Sequence, residues 1–297
     1  MSFQQLLQVG KFVVTAEVGP LKGTDTHEIN EVAGLLLGKI DAANATDQQS
    51  AVMRLGSTVT CQLLLQKGLE PILQMTCRDR NRLALQSDLL SAYVMGIKNV
   101  LSITGDLPKL GDHPQAKPVY DLDSVQLLEV IKKLNEGHDM VGNELKGKTD
   151  FFAGAVVNPG ADTEAAFELQ LIKMEKKIEA GAKFFQTQAI YDLKIMEKFM
   201  KRVESFKVPV LAGIIPLKSV GMARFMNKNV AGVFVPDELI NRVAKSEDKA
   251  RAGLDIAIEL IGQLKGMCQG IHIMAIGWER KVPEIVERAG LLPRPVV

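Results

Sequence analysis

Eight short strand-like runs alternate along this chain with stretches in which apolar residues recur at helical spacing. The runs lie at 12–20, 39–46, 70–77, 100–108, 151–157, 184–190, 208–215 and 270–276. Helices are predicted at 24–37, 48–66, 81–95, 124–134, 163–180, 193–203, 218–226, 236–264 (with a break near Lys245) and 282–289. Strands that alternate with helices form a parallel sheet. Eight such units in 297 residues fit a closed (β/α)8 barrel, the TIM-barrel fold, so we predict one α/β domain over residues 1–297.

An open, doubly wound sheet is the alternative fold for the same alternation. Such a sheet usually has a glycine-rich phosphate-binding turn after its first strand. Residues 19–23, which read Gly-Pro-Leu-Lys-Gly, do not match that turn. No linker or change of composition divides the chain, so the closed barrel is preferred.

Composition and charge argue against several classes of function. The net charge is +1 at pH 7, which favours neither nucleic acid nor an anionic membrane as a partner. No apolar run approaches the length of about 18 residues that a membrane span needs, and residues 1–11 do not resemble a signal peptide. Three scattered cysteines suggest the reducing cytoplasm. Four histidines without HxH or HxxxH spacing predict no metal site.

Polar residues collect where the predicted strands end, which is where a TIM barrel carries its active site. These residues are Glu17, Asn44, Thr46, Asp47, Gln74, Thr76, Thr104, Asp106, Asn158, Gln186 and Gln188. Amides and hydroxyls dominate the set. We expect it to bind a polar heterocycle and move a proton, more than to attack an electrophile.

Glu17 is notable because it lies inside an apolar strand, between Ala16 and Val18. A carboxyl group that is buried without a partner tends to keep its proton. Such a group can act as a general acid near neutral pH. The alternative is that Glu17 forms a structural ion pair with a lysine across the barrel.

Asp106 follows the fourth strand and opens a polar loop at 107–121 that contains prolines and glycines. Loops of about 15 residues are more often functional than idle. The position of Asp106 just beyond the strand suits a side chain that projects into a site. The alternative is an ordinary turn residue, since aspartate is common in turns.

A set of short motifs occurs in a fixed order. Thr-Ala-Glu-Val lies at 15–18, Asn-Ala-Thr-Asp at 44–47, Gln-Met-Thr-Cys at 74–77 and Thr-Gly-Asp-Leu-Pro at 104–108. Lys-Lys-Ile-Glu-Ala-Gly-Ala lies at 176–182, followed by Thr187-Gln188, by Tyr191-Asp192 and by the apolar run at 270–276. In order and spacing these motifs resemble the methylenetetrahydrofolate reductase family over nearly the whole chain.

The resemblance implies a (β/α)8 barrel that holds a flavin, usually FAD. It implies hydride transfer from flavin N5 to 5,10-methylenetetrahydrofolate, giving 5-methyltetrahydrofolate. Glu17 would be the acid that helps to open the imidazolidine ring, Asp106 would lie near flavin and pterin, Gln188 would bind the pterin and Arg280 the folate tail. The implied flavin contacts are Thr46, Gln74, Thr104, Gly105, Asp106, Tyr120, Asp121, Asn158 and Lys177. The alternative for Lys177 is a solvated helix lysine beside Lys173 and Lys176.

The sequence departs from the family pattern at three positions. Gln74 replaces a histidine, Gln170 an aspartate and Val220 a phenylalanine, so FMN stays open beside FAD. The electron donor also stays open between NAD(P)H and a partner subunit, as in short family members of acetate-forming anaerobes; an oligomer or heteromeric complex is expected. Two other functions remain: a flavin-free pterin-binding methyltransferase that acts with a corrinoid protein, and a non-catalytic subunit of a larger complex.

Overall fold

Eight parallel strands close into a barrel in the computed structural model, which describes residues 1–161 and 163–295. Each strand pairs with the next, and the last pairs with the first. The strands are β1 (Val13–Val18), β2 (Ala42–Ala45), β3 (Pro71–Thr76), β4 (Asn99–Ile103), β5 (Phe152–Val157), β6 (Phe184–Ala189), β7 (Val210–Ile214) and β8 (Gly270–Ile273). The predicted (β/α)8 barrel is confirmed, and the open sheet is excluded.

Helices cover the outside of this barrel and one of its ends. In the described part of the chain they are α1 (Phe3–Gln8), α2 (His27–Leu36), α3 (Ser57–Gln66), α4 (Arg82–Val94), α5 (Ser124–Glu136), α6 (Glu164–Glu179), α7 (Leu193–Val203), α8 (Val220–Asn229), α9 (Asp237–Lys245), α10 (Lys249–Leu264) and α11 (Val282–Arg288). The predicted break near Lys245 is confirmed by the gap between α9 and α10. Within the described ranges no helix is both long and apolar enough to cross a membrane.

The predicted helix at 48–66 is wrong in its first part. Helix α3 begins only at Ser57, and residues 49–51 form a single 3-10 turn in a loop. Gln48, Ser50 and Ala51 all have positive φ, between 49° and 57°. A right-handed helix cannot continue through such residues, because its φ is negative.

The amino-terminal helix α1 closes the end of the barrel opposite the strand ends that carry the predicted site residues. Phe3, Leu6 and Leu7 are buried in an apolar cluster at the foot of the strands. The ring of Phe3 makes edge contacts with Phe152 and Phe184, at centroid distances of 5.9 and 5.1 Å. Helix α1 thus forms a plug at this end of the barrel, which the sequence of residues 1–11 did not predict.

The strand register places polar side chains at matching heights in the barrel. Glu17 on β1 lies opposite Asn44 on β2, while Thr15 lies opposite His272 on β8. Side chains alternate between the two faces of a strand. Thr15 and Glu17 therefore share one face of β1, and hydrogen bonds from Thr15 to β8 and from Gln186 on β6 show that this face is the barrel interior.

Candidate functional site

The carboxyl ends of the strands surround a cavity of about 390 Å³. The strand-end residues Asp47, Thr76 and Gln186 line it, and so do seven residues to which the resemblance gave a role: Glu17, Gln74, Thr104, Gly105, Asp106, Lys177 and Gln188. These seven come from β1, β3, β6, the loop after β4 and helix α6. Closure of the barrel thus brings together residues that lie up to 171 positions apart in the sequence.

Glu17 is held in the wall of this cavity and is only 7% exposed. Gln49 donates a hydrogen bond to its Oε2 over 3.2 Å, and Gln74 donates one to its Oε1 over 3.4 Å. The imidazole Nε2 of His272 lies 3.7 Å from Oε1. The neighbours of the carboxyl group are therefore two amides and an imidazole, and not the lysine that was the structural alternative.

A buried hydrogen-bond network continues behind His272. Its Nδ1 lies 2.9 Å from Thr15 Oγ1, which accepts a hydrogen bond of 3.3 Å from Gln186. Gln186 and Asn44 exchange two further amide hydrogen bonds, of 2.8 and 3.1 Å. Buried polar networks of this kind are rigid when every member is paired. The network fixes the ring of His272 beside Glu17.

The motif pattern did not single out His272 as part of a site. One signal was available, namely a histidine in the middle of the apolar run at 270–276. A buried imidazole needs partners, but the sequence alone does not show that β8 closes onto β1.

Asp106 lies on the exposed rim of the cavity, and its backbone is held by two side chains. Arg78 donates to its carbonyl oxygen over 3.3 Å, and the hydroxyl of Tyr120 donates to the same oxygen over 3.2 Å. Gly105 before it has φ of +92°, a left-handed conformation that favours glycine. A sharp turn therefore sets the direction of the Asp106 side chain.

Arg78 is a second residue that the motif pattern missed. It is 2% exposed, lines the cavity and forms two hydrogen bonds with Asp79, of 2.8 and 2.7 Å. Its guanidinium also donates to the carbonyl oxygens of Gln48 and Asp106, each over 3.3 Å. It ties together the loops that follow β2, β3 and β4.

Lys177 extends from α6 into the cavity wall, where its Nζ donates a hydrogen bond of 2.8 Å to the carbonyl of Val156. Burial, reinforced by the nearby charge of Lys173, lowers the pKa of Lys177 to about 8. The alternative of a freely solvated helix lysine is therefore wrong. Lys177 supplies the cavity with a cation whose charge depends on pH near neutrality.

Five other residues to which the resemblance gave a role lie outside the lining. Tyr120 bonds the backbone at Gly105 and Asp106, as described above, and Thr46 is buried at the end of β2. Asp121 forms an ion pair with Arg82, which lowers the pKa of Asp121 to about 2. Asn158 donates over 3.1 Å to the carbonyl of Ala231, and Arg280 forms an ion pair with Glu31 on α2.

Comparison with known proteins gives concordant results. Methylenetetrahydrofolate reductase 2 of Schizosaccharomyces pombe is 27% identical over 262 residues, covering 80% of this chain and 40% of that protein. A Caenorhabditis elegans protein named probable methylenetetrahydrofolate reductase (NADPH) is 24% identical over 244 residues, covering 79% of this chain and 34% of that protein. This chain thus spans less than half the length of either relative.

A solved structure shows the same fold over the whole chain. It is an uncharacterized protein from Clostridium thermocellum, described as binding two copies of 5-methyl-5,6,7,8-tetrahydrofolic acid. The TM-score is 0.68 with 15% identity, over 99% of both chains. The family model for methylenetetrahydrofolate reductase matches residues 2–290, and on that match the chain belongs to the methylenetetrahydrofolate reductase family.

Proposed function

We propose that this chain uses a bound flavin, FAD or FMN, to reduce 5,10-methylenetetrahydrofolate to 5-methyltetrahydrofolate. Family membership supports the reaction class. The observation that carries the proposal is a buried carboxyl group, Glu17, in the wall of a polar cavity that Asp106 and Gln188 also line. A proton donor, a rim carboxylate and a neutral amide are the groups that such a reduction needs around a pterin.

The residues around the cavity fit a flavin. A flavin ring presents alternating donors and acceptors along one edge, and the amides of Gln74 and Gln188 can pair with either kind. Lys177 offers a cation to a phosphate. When bound and reduced, the flavin would supply the hydride.

Glu17 would hold the proton that opens the imidazolidine ring of the substrate and generates the reactive iminium. After transfer, the N–H groups of Gln49 and Gln74 stabilise the carboxylate that remains, because hydrogen bonds to a charged group favour it. The same side chains would thus hold the group in place before and after the proton moves.

Asp106 and Gln188 would orient the substrate. The backbone hydrogen bonds from Arg78 and Tyr120 fix the turn that carries Asp106. Gln188 lies near the end of β6, and its amide has both a donor and an acceptor for the pterin edge. Arg280, if it binds the folate tail, would have to leave its partner Glu31.

The electron donor is either NAD(P)H or a partner subunit. Relatives named for NADPH and for NADH support direct use of a nicotinamide cofactor. We infer a single flavin- and folate-binding domain that works as an oligomer or in a heteromeric complex. Cys61, Cys77 and Cys268 are buried free thiols, which supports a reducing compartment such as the cytoplasm.

An anaerobic spectroscopic experiment tests the proposal. We expect the purified or reconstituted protein to show flavin absorbance, with the released cofactor identified by mass. Dithionite should bleach it, and methylenetetrahydrofolate should then restore the oxidised spectrum and yield 5-methyltetrahydrofolate. Bleaching by NADH or NADPH would identify the donor, whereas its absence would favour a partner subunit.

Two outcomes contradict the proposal. A protein that binds no flavin, even on reconstitution, would favour the methyltransferase that acts with a corrinoid protein. A reduced flavin that methylenetetrahydrofolate does not reoxidise would favour the non-catalytic subunit.

A further inference from the structure

The loop after β2 contains an unusual run of backbone conformations. Gln48, Ser50 and Ala51 have φ of 49°, 57° and 57°, in the left-handed region that residues other than glycine seldom adopt. None of the three is a glycine or an asparagine, which tolerate this region best. Such strain persists only where surrounding contacts determine the backbone, and it is concentrated at functional sites.

Contacts from two other segments hold this loop, and a third segment holds one of the contacting side chains. Arg78, after β3, donates to the carbonyl of Gln48 over 3.3 Å, and Asp112, after β4, accepts from the backbone N–H of Met53 over 3.0 Å. Lys22, after β1, forms an ion pair with Asp112. Gly111 approaches so closely that a Cβ there would lie 1.8 Å from the carbonyl oxygen of Ala51.

The held loop directs one side chain at the proposed acid. Gln49 donates its amide to Glu17 Oε2 over 3.2 Å. Glu17 and Gln49 also line a second cavity of about 310 Å³, which lies outside the first, between the end of β1, helix α2 and the loop after β8. The contact between these two side chains therefore borders both cavities.

We propose that Gln49 is a positioning residue that fixes the orientation of the Glu17 carboxyl group at the border of the two cavities. The strained loop is the device that holds the amide in place. The inference rests on the proposed function, because it gives Glu17 the role of proton donor. Gln49 itself acts through Glu17, and no direct contact with substrate is required of it.

Gln49→Met tests this role, because methionine has a similar length but no N–H donor. We expect folate reduction in a single turnover to slow by about tenfold, the usual effect of one lost hydrogen bond to a charged group. The basic limb of the pH–rate profile should move to higher pH, because the carboxylate loses a donor that favours it. Flavin reduction by dithionite and the KM for folate should stay unchanged.

The charged groups around Glu17 are the same in this variant and in the wild type. His272 is nearest, and Asp47, Arg78, Asp106 and Lys177 share the inner cavity. Glu28, Arg54 and Glu279 line the outer one. A shifted pH profile therefore reports the lost amide. Gln66→Met, on the exposed face of α3, is the matched control and should behave as the wild type.

Two further results separate this inference from the proposed function. Gly111→Ala, which forces the loop away at Ala51, should reproduce the slowing and the pH shift seen in Gln49→Met. If the wild type does not reduce methylenetetrahydrofolate, the proposed function fails. The titration of Glu17 by carbon-13 NMR of the carboxyl group then decides the positioning role. An unchanged titration midpoint in Gln49→Met, or an unchanged pH–rate profile in an active enzyme, would overturn it.

Discussion

Replacement of Glu17 by glutamine removes the acidic proton of the proposed acid but keeps nearly the same side-chain shape. The amide oxygen of the new side chain can still accept the hydrogen bond that Gln49 now donates over 3.2 Å. The volume is nearly unchanged, so the network of His272 and Thr15 should stay intact. The variant should fold, bind flavin and be reduced as the wild type is, while it loses the proton that opens the substrate ring.

The expected loss follows from the role of a general acid. Such groups contribute about 10²- to 10⁴-fold to a rate, which is about 3–5 kcal/mol of barrier. Two features of the structure favour a large loss within that range. The carboxyl group is only 7% exposed, which limits replacement of its proton from solvent. Two of its three neighbours, Gln49 and Gln74, are amides that cannot act as acids near neutral pH, so among them only the imidazole of His272, 3.7 Å away, could supply a proton in its place.

The assay is an anaerobic stopped-flow measurement of the folate half-reaction. Protein reduced by dithionite is mixed with methylenetetrahydrofolate, and the return of the oxidised flavin absorbance gives the rate. Glu129→Gln, an exposed change on α5, is the control and should keep the wild-type rate. If Glu17→Gln reoxidised as fast as the wild type, Glu17 could not be the acid. If it failed to bind flavin, the assigned role would be structural.

Three other expectations concern charge and stability. Burial holds the pKa of Lys177 near 8, so the positive charge of its side chain is lost above that pH. The affinity of the protein for FMN, measured by calorimetry, should therefore fall above pH 8. Lys177→Met should abolish this pH dependence, whereas Lys176→Met, at an exposed position, should retain it. Phe3→Ala should lower the free energy of unfolding by about 3–5 kcal/mol in urea titrations, because Phe3 is 0% exposed, and Val9→Ala on the exposed end of α1 should change it little. Arg294→Ala should lower the free energy of unfolding by about 3–5 kcal/mol in the same assay, because it leaves Asp41 buried without the guanidinium 2.5 Å away. Adding Asp41→Asn should recover part of that stability. No recovery would contradict the ion-pair explanation.

Periodicity was enough to predict the barrel. Runs such as 151–157 are apolar on both faces, as strands of a buried parallel sheet are. Strands β5 and β6 occupy nearly the same residues as the predicted runs at 151–157 and 184–190. The fold then places the strand ends together, which accounts for Glu17, Gln74, Asp106 and Gln188 in one cavity. These predictions depended on local pattern and on a geometric rule of the fold.

Residues that act through distant contacts could not be predicted in this way. His272 meets Thr15 only because β8 closes onto β1, and that pairing joins positions 257 residues apart. Arg78 becomes a link between loops only when the ends of β2, β3 and β4 are adjacent. The plug formed by α1 likewise depends on where the barrel bottom lies, since residues 3–8 are too short a helix to be stable alone.

The segment at 48–56 shows that contacts between residues distant in the sequence also decide the conformation of the site itself. Gln48, Gln49 and Ala51 are residues that tolerate a helix well, so local preference predicts one there. Contacts with Arg78, Asp112 and Gly111 select a left-handed loop instead. Those partners come from two other strand ends, so no window of sequence around residue 49 contains the reason for its conformation. The same contacts that defeat the helix prediction aim Gln49 at Glu17. A failed local prediction next to a strand end is therefore itself a guide to the residues that hold a TIM-barrel site in place.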